Sequence, residues 1–109
     1  MPKNKGSIGE RLFVYGSLLD AAERRSLLGR AVASRPARLL GFERGRRRHY
    51  YVLPREGSAV DGAIIEGLDQ RDFANLDRYE EVPTLYTRER ITIDGLECWI
   101  YLPTAWVGE

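Results

Sequence analysis

Pro83 stands between two stretches of opposite periodicity, and it limits what this chain can become more than any other residue does. Before it, Leu68, Phe73 and Leu76 recur at helical spacing, with Tyr79 three residues further on. After it, Leu85–Ile93 is rich in β-branched and aromatic residues, Asp94-Gly95 is the signature of a two-residue type I′ turn, and Leu96–Leu102 returns as a second strand. A proline cannot continue a helix and drives the residue before it towards extended geometry, so the helix must stop near Glu80 or Glu81. The chain is then committed to a helix running through a tight turn into a hairpin. Strand alternation puts Leu85, Thr87, Glu89, Ile91 and Ile93 on one side of the outgoing strand and Tyr86, Arg88 and Arg90 on the other. On the return strand it sets Cys98 and Ile100 against Trp99 and Tyr101, so Tyr86 and Tyr101 can share a face.

The stop also leaves a carboxylate at a helix C-terminus. The macrodipole there disfavours negative charge, and burial would add to that, so the pKa of Glu80 or Glu81 would rise. A carboxylate in that condition can take a proton and later return it. Two solvated glutamates at a helix end fit the local sequence as well.

Upstream, Arg11–Tyr15 reads as a short buried strand that runs into Gly16, Ser17 and Leu18. Asp20 followed by Glu23 has the spacing of an acidic capping box, predicting a helix over Ala21–Leu28 closed by Gly29. A strand, a glycine-serine loop and a helix start can cradle an anion or an oxyanion on unpaired backbone N–H groups. An ordinary turn fits the same residues. Ala31-Val32 and Ala37–Phe42 read as strand material broken at Pro36 and Gly41. Tyr50–Leu53 reads as a strand ended by Pro54 and Gly57, and Ala59–Leu68 as another, with Gly62 marking a bulge or a close backbone approach. Asp69 caps the helix expected over Gln70 to about Tyr79, with Asp72 in its first turn. The sum is about six strands and two short helices: an α+β domain with a curved, mostly antiparallel sheet able to close as a small barrel.

Arg44, Arg46, Arg47 and Arg48 beside Tyr50 and Tyr51 have the composition of a nucleic-acid contact. A solvated turn is the plainer account, because the net charge of the whole chain is +1, which disfavours a general polyanion binder. An intermediate reading pairs one of these arginines with a substrate carboxylate. His49 has no neighbouring nucleophile that would nominate a triad. Trp106, in the tail, suits packing better than chemistry. With one cysteine, Cys98, and one histidine, the chain can form neither an internal disulfide nor a Cys/His zinc set, and no metal site is expected. No stretch resembles a signal peptide or reaches the ~20 apolar residues of a membrane span, so a reducing cytoplasm is the expected location. The 109 residues fit one domain over 10–109 with a loose polar arm over 1–9.

Three segments, in this order, resemble the gamma-glutamylcyclotransferase-like family, including its gamma-glutamylamine branch. They are Phe13-Val14-Tyr15-Gly16-Ser17-Leu18, then Val60-Asp61-Gly62-Ala63-Ile64-Ile65, then Leu76-Asp77-Arg78-Tyr79-Glu80 with Leu85-Tyr86-Thr87-Arg88. The resemblance runs from about Leu12 to Leu102. It implies a small barrel-like, mostly antiparallel mixed sheet with two short flanking helices. It implies that the loop Tyr15, Gly16, Ser17 and Leu18 holds the glutamyl part of a small substrate, that Glu80 is the general acid/base, and that Tyr86 and Tyr101 line the same pocket. The reaction implied is cyclisation of a gamma-glutamyl amide to 5-oxoproline with release of an amine, needing neither metal nor cofactor. One departure is plain: a glycine commonly follows the family's catalytic glutamate, and here Glu81 does. A non-catalytic domain holding an amino-acid-like ligand in the same pocket is the alternative, with RNA binding through Arg44–Tyr51 behind it. The leaving amine and the oligomeric state are left open by these residues.

Overall fold

A computed structural model describes residues 9–108. The arm expected over 1–9 therefore lies, except for Gly9, outside the described residues. The elements run β1 (Glu10–Val14), a 3₁₀ turn (Ser17–Leu19), α1 (Ala21–Leu28), β2 (Ser34–Arg46), β3 (Tyr50–Leu68), α2 (Gln70–Tyr79), β4 (Tyr86–Ile93), β5 (Leu96–Pro103) and a second 3₁₀ turn (Ala105–Gly108).

Five strands form one sheet in the order β2-β3-β1-β5-β4, rather than the six expected. The difference lies in one merged pair, in β3. Ala37–Phe42 belongs to the single long strand β2, which crosses Pro36 and Gly41, while Ala31-Val32 stays outside any strand. Tyr50–Leu53 and Ala59–Leu68 are likewise one strand, β3, crossing Pro54 and Gly57. Proline is tolerated in β2 because that strand is a sheet edge. The breaks foreseen at Gly41 and Gly57 survive as an irregularity: the ladder passes from Leu40↔Ala59 to Phe42↔Pro54, and both glycines have positive φ. The sheet is mixed, since β1 runs antiparallel to β3 and parallel to β5.

Strand alternation divides the core in two. Leu12 and Val14 of β1 face the helices and pack with Leu18, Leu28, Ile65, Leu68, Phe73 and Leu76. Phe13 and Tyr15 face the other way, onto Leu39, Val52, Val60, Ile64, Ile93, Cys98 and Ile100. All five strands contribute to that second cluster and no helix does, so it is buried because the sheet curls over it as a half-barrel. Gly62 lies where β3 presses on β1: a Cβ there would meet the Val14 carbonyl and the Phe13 ring. The Asp94-Gly95 turn forms as foreseen, with both residues at positive φ. No helix among the described residues is long and apolar enough to cross a membrane.

Candidate active site

The seven residues singled out above, Tyr15, Gly16, Ser17, Leu18, Glu80, Tyr86 and Tyr101, line one cavity of about 350 Å³. That volume suits a small ligand. Four elements meet around it.

The first is the C-terminus of α2. Asp69 and Asp72 cap its N-terminus reciprocally, each carboxylate accepting the other residue's backbone N–H at 2.9 Å. Arg30 grips Asp72 with two bonds of 2.8 Å, and that interaction above all holds the Asp72 carboxyl below its usual range. The box expected of Asp20 and Glu23 is not formed. Asp20 caps α1 by accepting the Ala22 N–H at 3.2 Å, and Glu23 is exposed. At its other end α2 closes in a Schellman motif: Glu81 N–H donates to the Arg78 carbonyl at 3.1 Å and Val82 N–H to the Asp77 carbonyl at 2.9 Å. The motif needs a left-handed residue after the cap, and Glu81 supplies it with φ 56°. Glu80, the cap itself, is thereby fixed in place, its N–H donating to the Leu76 carbonyl at 2.9 Å. Tyr79 is exposed rather than part of the apolar stripe, and Leu68 belongs to β3.

The second element is the loop after β1. Leu18 is buried, and its carbonyl and that of Leu19 each accept from Arg24 Nη1 at 3.0 Å, while Arg24 Nε donates to the Val32 carbonyl at 3.1 Å. A buried guanidinium satisfied by three carbonyls thus clamps the loop onto α1. Ser17 Oγ and the Tyr79 hydroxyl share a hydrogen bond of 2.8 Å, which ties the loop to the helix turn that carries Glu80. Gly16 faces Tyr50, where an added Cβ would approach the ring's own Cβ to 3.2 Å.

The third is the terminal hairpin. Tyr101 donates to Asp77 Oδ1 at 2.7 Å, and the same carboxylate receives Arg88 through Nε at 2.8 Å and Nη2 at 3.2 Å. Arg88 is in turn sandwiched near the rings of Phe73 and Trp99, at 4.5 and 4.4 Å from their centroids. The fourth is the tip of the β2–β3 hairpin, which folds over the cavity. The Tyr50 carbonyl accepts from the Tyr86 hydroxyl at 2.5 Å, and Trp106 sets its ring edge-to-face with His49, Tyr51 and Tyr86. Its indole N–H donates to the Leu85 carbonyl at 2.6 Å.

The electrostatics single out Glu80. Loss of water around its half-buried carboxyl pushes its pKa up to about 7. Burial is the cause; Glu81, which the sequence offered as a second source of the shift, is exposed. The three tyrosines move the other way from usefulness as bases. Burial raises the hydroxyls of Tyr15, Tyr86 and Tyr101, helped in each by the nearby Glu80 charge. Each donates to a fixed partner, Tyr15 to the Tyr101 carbonyl at 2.6 Å. They shape and order the cavity. Among the described residues no group of three or more His, Cys, Asp or Glu side chains could hold a metal ion.

Sequence reasoning did not foresee Asp77, Arg88, Arg24 or Tyr79 as site supports, nor His49 and Tyr50 as a cavity wall; Arg46 and Arg48, from the cluster in which one reading paired an arginine with a substrate carboxylate, line the same cavity. Asp77 carried a usable signal, since it stands three residues before Glu80 and one helical turn away. Arg24 carried none: in the sequence it is a helix arginine like its neighbour Arg25.

Comparison with known proteins follows the same lines. The family described as "Gamma-glutamyl cyclotransferase, AIG2-like" matches residues 12–107. A Methanocaldococcus jannaschii protein named "Gamma-glutamylcyclotransferase and putative RNase" is 27% identical over 111 residues, covering 94% of this chain and 48% of its own length. The chain thus spans about half the length of that curated relative. A solution structure from Arabidopsis thaliana is similar with TM-score 0.72 and 26% identity, over 86% of this chain and 68% of that one. A solved gamma-glutamyl cyclotransferase shares the fold with TM-score 0.76 at 18% identity, over 87% of this chain and 66% of that one. By the family match over nearly its whole length, this chain belongs to the gamma-glutamyl cyclotransferase, AIG2-like family.

Proposed function

We propose that the chain is a cyclotransferase that converts a small gamma-glutamyl amide or peptide to 5-oxoproline and a free amine, with Glu80 as general acid/base. The observation that carries this reading is a carboxyl with a pKa near 7 at the wall of a small-molecule cavity, beside a glycine-serine loop. The ionised Glu80 carboxylate takes a proton from the substrate's α-ammonium. The freed nitrogen attacks the γ-carbonyl of the same molecule and forms the ring C–N bond. Collapse of the tetrahedral intermediate breaks the bond to the leaving nitrogen, which takes the proton back from Glu80; the second proton of the attacking nitrogen passes by way of the same carboxylate to the released amine, so a neutral lactam and an ammonium result. One carboxyl thus serves both transfers and ends as it began.

Raising that carboxyl from 4.5 to about 7 cuts the uphill cost of the first transfer by about 3 kcal/mol. The nucleophile is already part of the substrate, so holding it in a folded-back conformation supplies much of the acceleration. In this reading the backbone of Gly16, Ser17 and Leu18 holds the glutamyl group and the developing oxyanion. The 3₁₀ turn uses the N–H groups of Leu19 and Asp20 internally, donating to Gly16 and Ser17 carbonyls at 3.0 and 3.1 Å, so those of its first residues point away from it. Tyr15, Tyr86 and Tyr101 enclose the substrate. A cytoplasmic location belongs to the same proposal, Cys98 being free and buried.

The test is incubation of the purified protein with gamma-glutamyl dipeptides, gamma-glutamyl amines and glutathione, with 5-oxoproline followed by mass spectrometry. Product is expected from the wild type, and its rate is expected to fall at least about 10²-fold in Glu80→Gln. Equal turnover by the variant would remove Glu80 from the mechanism.

A further inference from the structure

We infer that Arg24 is a positioning residue for the oxyanion site: from behind the loop, its guanidinium polarises the Ser17 and Leu18 N–H groups through two short chains of hydrogen-bonded peptides. This rests on the cyclotransferase reading and says what strengthens the donors of that same site.

The argument begins with a buried charge. Arg24 is 5% exposed, and among the described residues no carboxylate lies within ion-pair distance of it. A guanidinium keeps its positive charge in a folded protein, and burying one without a counter-ion is costly. Peptide dipoles take the place of the counter-ion. Nη1 donates to the carbonyls of Leu18 and Leu19 at 3.0 Å each, and Nε donates to that of Val32 at 3.1 Å. A neutral donor such as a glutamine amide could fasten the same carbonyls with a smaller desolvation penalty. The charge therefore calls for an account that a clamp alone does not give.

The bonds beyond those carbonyls supply it. A cation on a peptide oxygen draws electrons from the nitrogen of the same peptide and makes its N–H a stronger donor, and successive hydrogen bonds pass the effect along. The Leu18 carbonyl belongs to the peptide whose N–H is that of Leu19, and this N–H donates to the Gly16 carbonyl at 3.0 Å. The next N–H in that chain is that of Ser17. The Leu19 carbonyl belongs likewise to the peptide whose N–H is that of Asp20, which donates to the Ser17 carbonyl at 3.1 Å. The next N–H there is that of Leu18. One guanidinium nitrogen thus heads two parallel chains, and they end on the two amides at the start of the 3₁₀ turn. Those amides find no carbonyl among the loop hydrogen bonds, and their residues line the cavity. Arg24 itself is not among the lining residues, so it acts through the loop.

The experiment separates charge from packing. Arg24→Gln and Arg24→Met remove the charge, Arg24→Lys keeps it, and thermal melts establish which variants are folded. A folded neutral variant is expected to lose about tenfold in kcat with KM nearly unchanged, since only the developing oxyanion gains from the stronger donors. That is less than the roughly 10²–10³-fold cost of deleting an oxyanion donor, because here the donors are weakened and remain in place. Arg24→Lys is expected to recover most of the loss. Amide proton NMR of the ligand-free protein gives a readout independent of turnover. In the wild type the Ser17 and Leu18 protons are expected downfield of amides bonded only to water. A neutral variant should move both upfield, with Leu19 and Asp20, one link nearer the charge, moving further. Ordinary positions for Ser17 and Leu18 in the wild type, equal losses in the lysine and neutral variants, or a loss confined to KM would overturn the role of Arg24. Downfield Ser17 and Leu18 amides in a wild type that forms no 5-oxoproline would overturn the cyclotransferase reading and leave the polarised donors in place.

Discussion

The Tyr101 hydroxyl donates to Asp77 Oδ1 at 2.7 Å, and that carboxylate also receives Arg88 at 2.8 Å, so strands β4 and β5 are fastened to the helix that ends at Glu80. Asp77 also accepts the Val82 N–H on its backbone carbonyl, within the turn that fixes Glu80. The residue touches both the frame and the turn.

Removing this anion should therefore cost more than removing the Tyr101 hydroxyl that donates to it. Asp77→Ala is expected to destabilise by about 2–4 kcal/mol, because it leaves a half-buried Arg88 charge unpaired. Tyr101→Phe, which leaves the Arg88 pair intact, is expected to cost about 1 kcal/mol. Urea unfolding of the two variants checks the order; equal losses would mean that the carboxylate is not the shared anchor.

Glu80 should impose its protonation on both rate and stability. A base that must be ionised predicts that kcat/KM falls about tenfold per pH unit below pH 7 and levels off above it, since the pKa of Glu80 is about 7. Glu80→Gln should abolish that limb along with most of the activity. For stability the sign is the reverse of an ordinary ion-paired carboxylate. The folded value lies above the unfolded one, so the fold favours the protonated form, and stability falls as pH rises from about 4.5 through about 7. At pH 8 Glu80→Gln should be more stable than the wild type by about 1–3 kcal/mol, and at pH 4 the two should match. Thermal melts at the two pH values separate the cases. A stability gap that does not change with pH would show that ionisation of Glu80 is not its source.

Glu81 holds the left-handed position that a Schellman turn usually gives to glycine. A side chain there is strained by contact with its own carbonyl, at a cost of about 1–2 kcal/mol, partly offset by the lower entropy of the unfolded chain. Glu81→Gly is thus expected to stabilise by about 0.5–1 kcal/mol, while Glu81→Val should destabilise. Denaturation midpoints give the answer, and a destabilising glycine would mean that the Glu81 side chain contributes contacts beyond the turn.

Gly62 is a packing constraint between two strands. Because an added methyl would run into the Val14 carbonyl and the Phe13 ring, Gly62→Ala should cost about 2–3 kcal/mol by forcing β1 and β3 apart. Since β1 leads directly into the loop at Tyr15, the same variant should lower kcat/KM under conditions where it is still fully folded. A neutral substitution would show that the strands can separate without strain.

What the sequence determined by itself was local. The Asp94-Gly95 turn, the capping of α2 by Asp69, and the arrest of that helix at Glu80 before Pro83 each depend on residues within one or two turns of each other. The shared face of Tyr86 and Tyr101 followed from strand alternation once the hairpin register was known, and both belong to the same apolar cluster. Tertiary structure decided the rest, for a physical reason: period and turn chemistry say which way a side chain faces within its element, and not which element it will meet. The continuity of β2 and β3 across Pro36, Gly41, Pro54 and Gly57 exists because each strand is the other's partner over most of its length. The parallel neighbourhood of β1 and β5 joins residues 87 positions apart, Leu12 and Trp99. Glu80 shares one cavity with the tip of the β2–β3 hairpin and with the loop after β1, segments far from it in the sequence. Each of those depends on how a curled sheet brings distant segments together, which no local window of sequence contains.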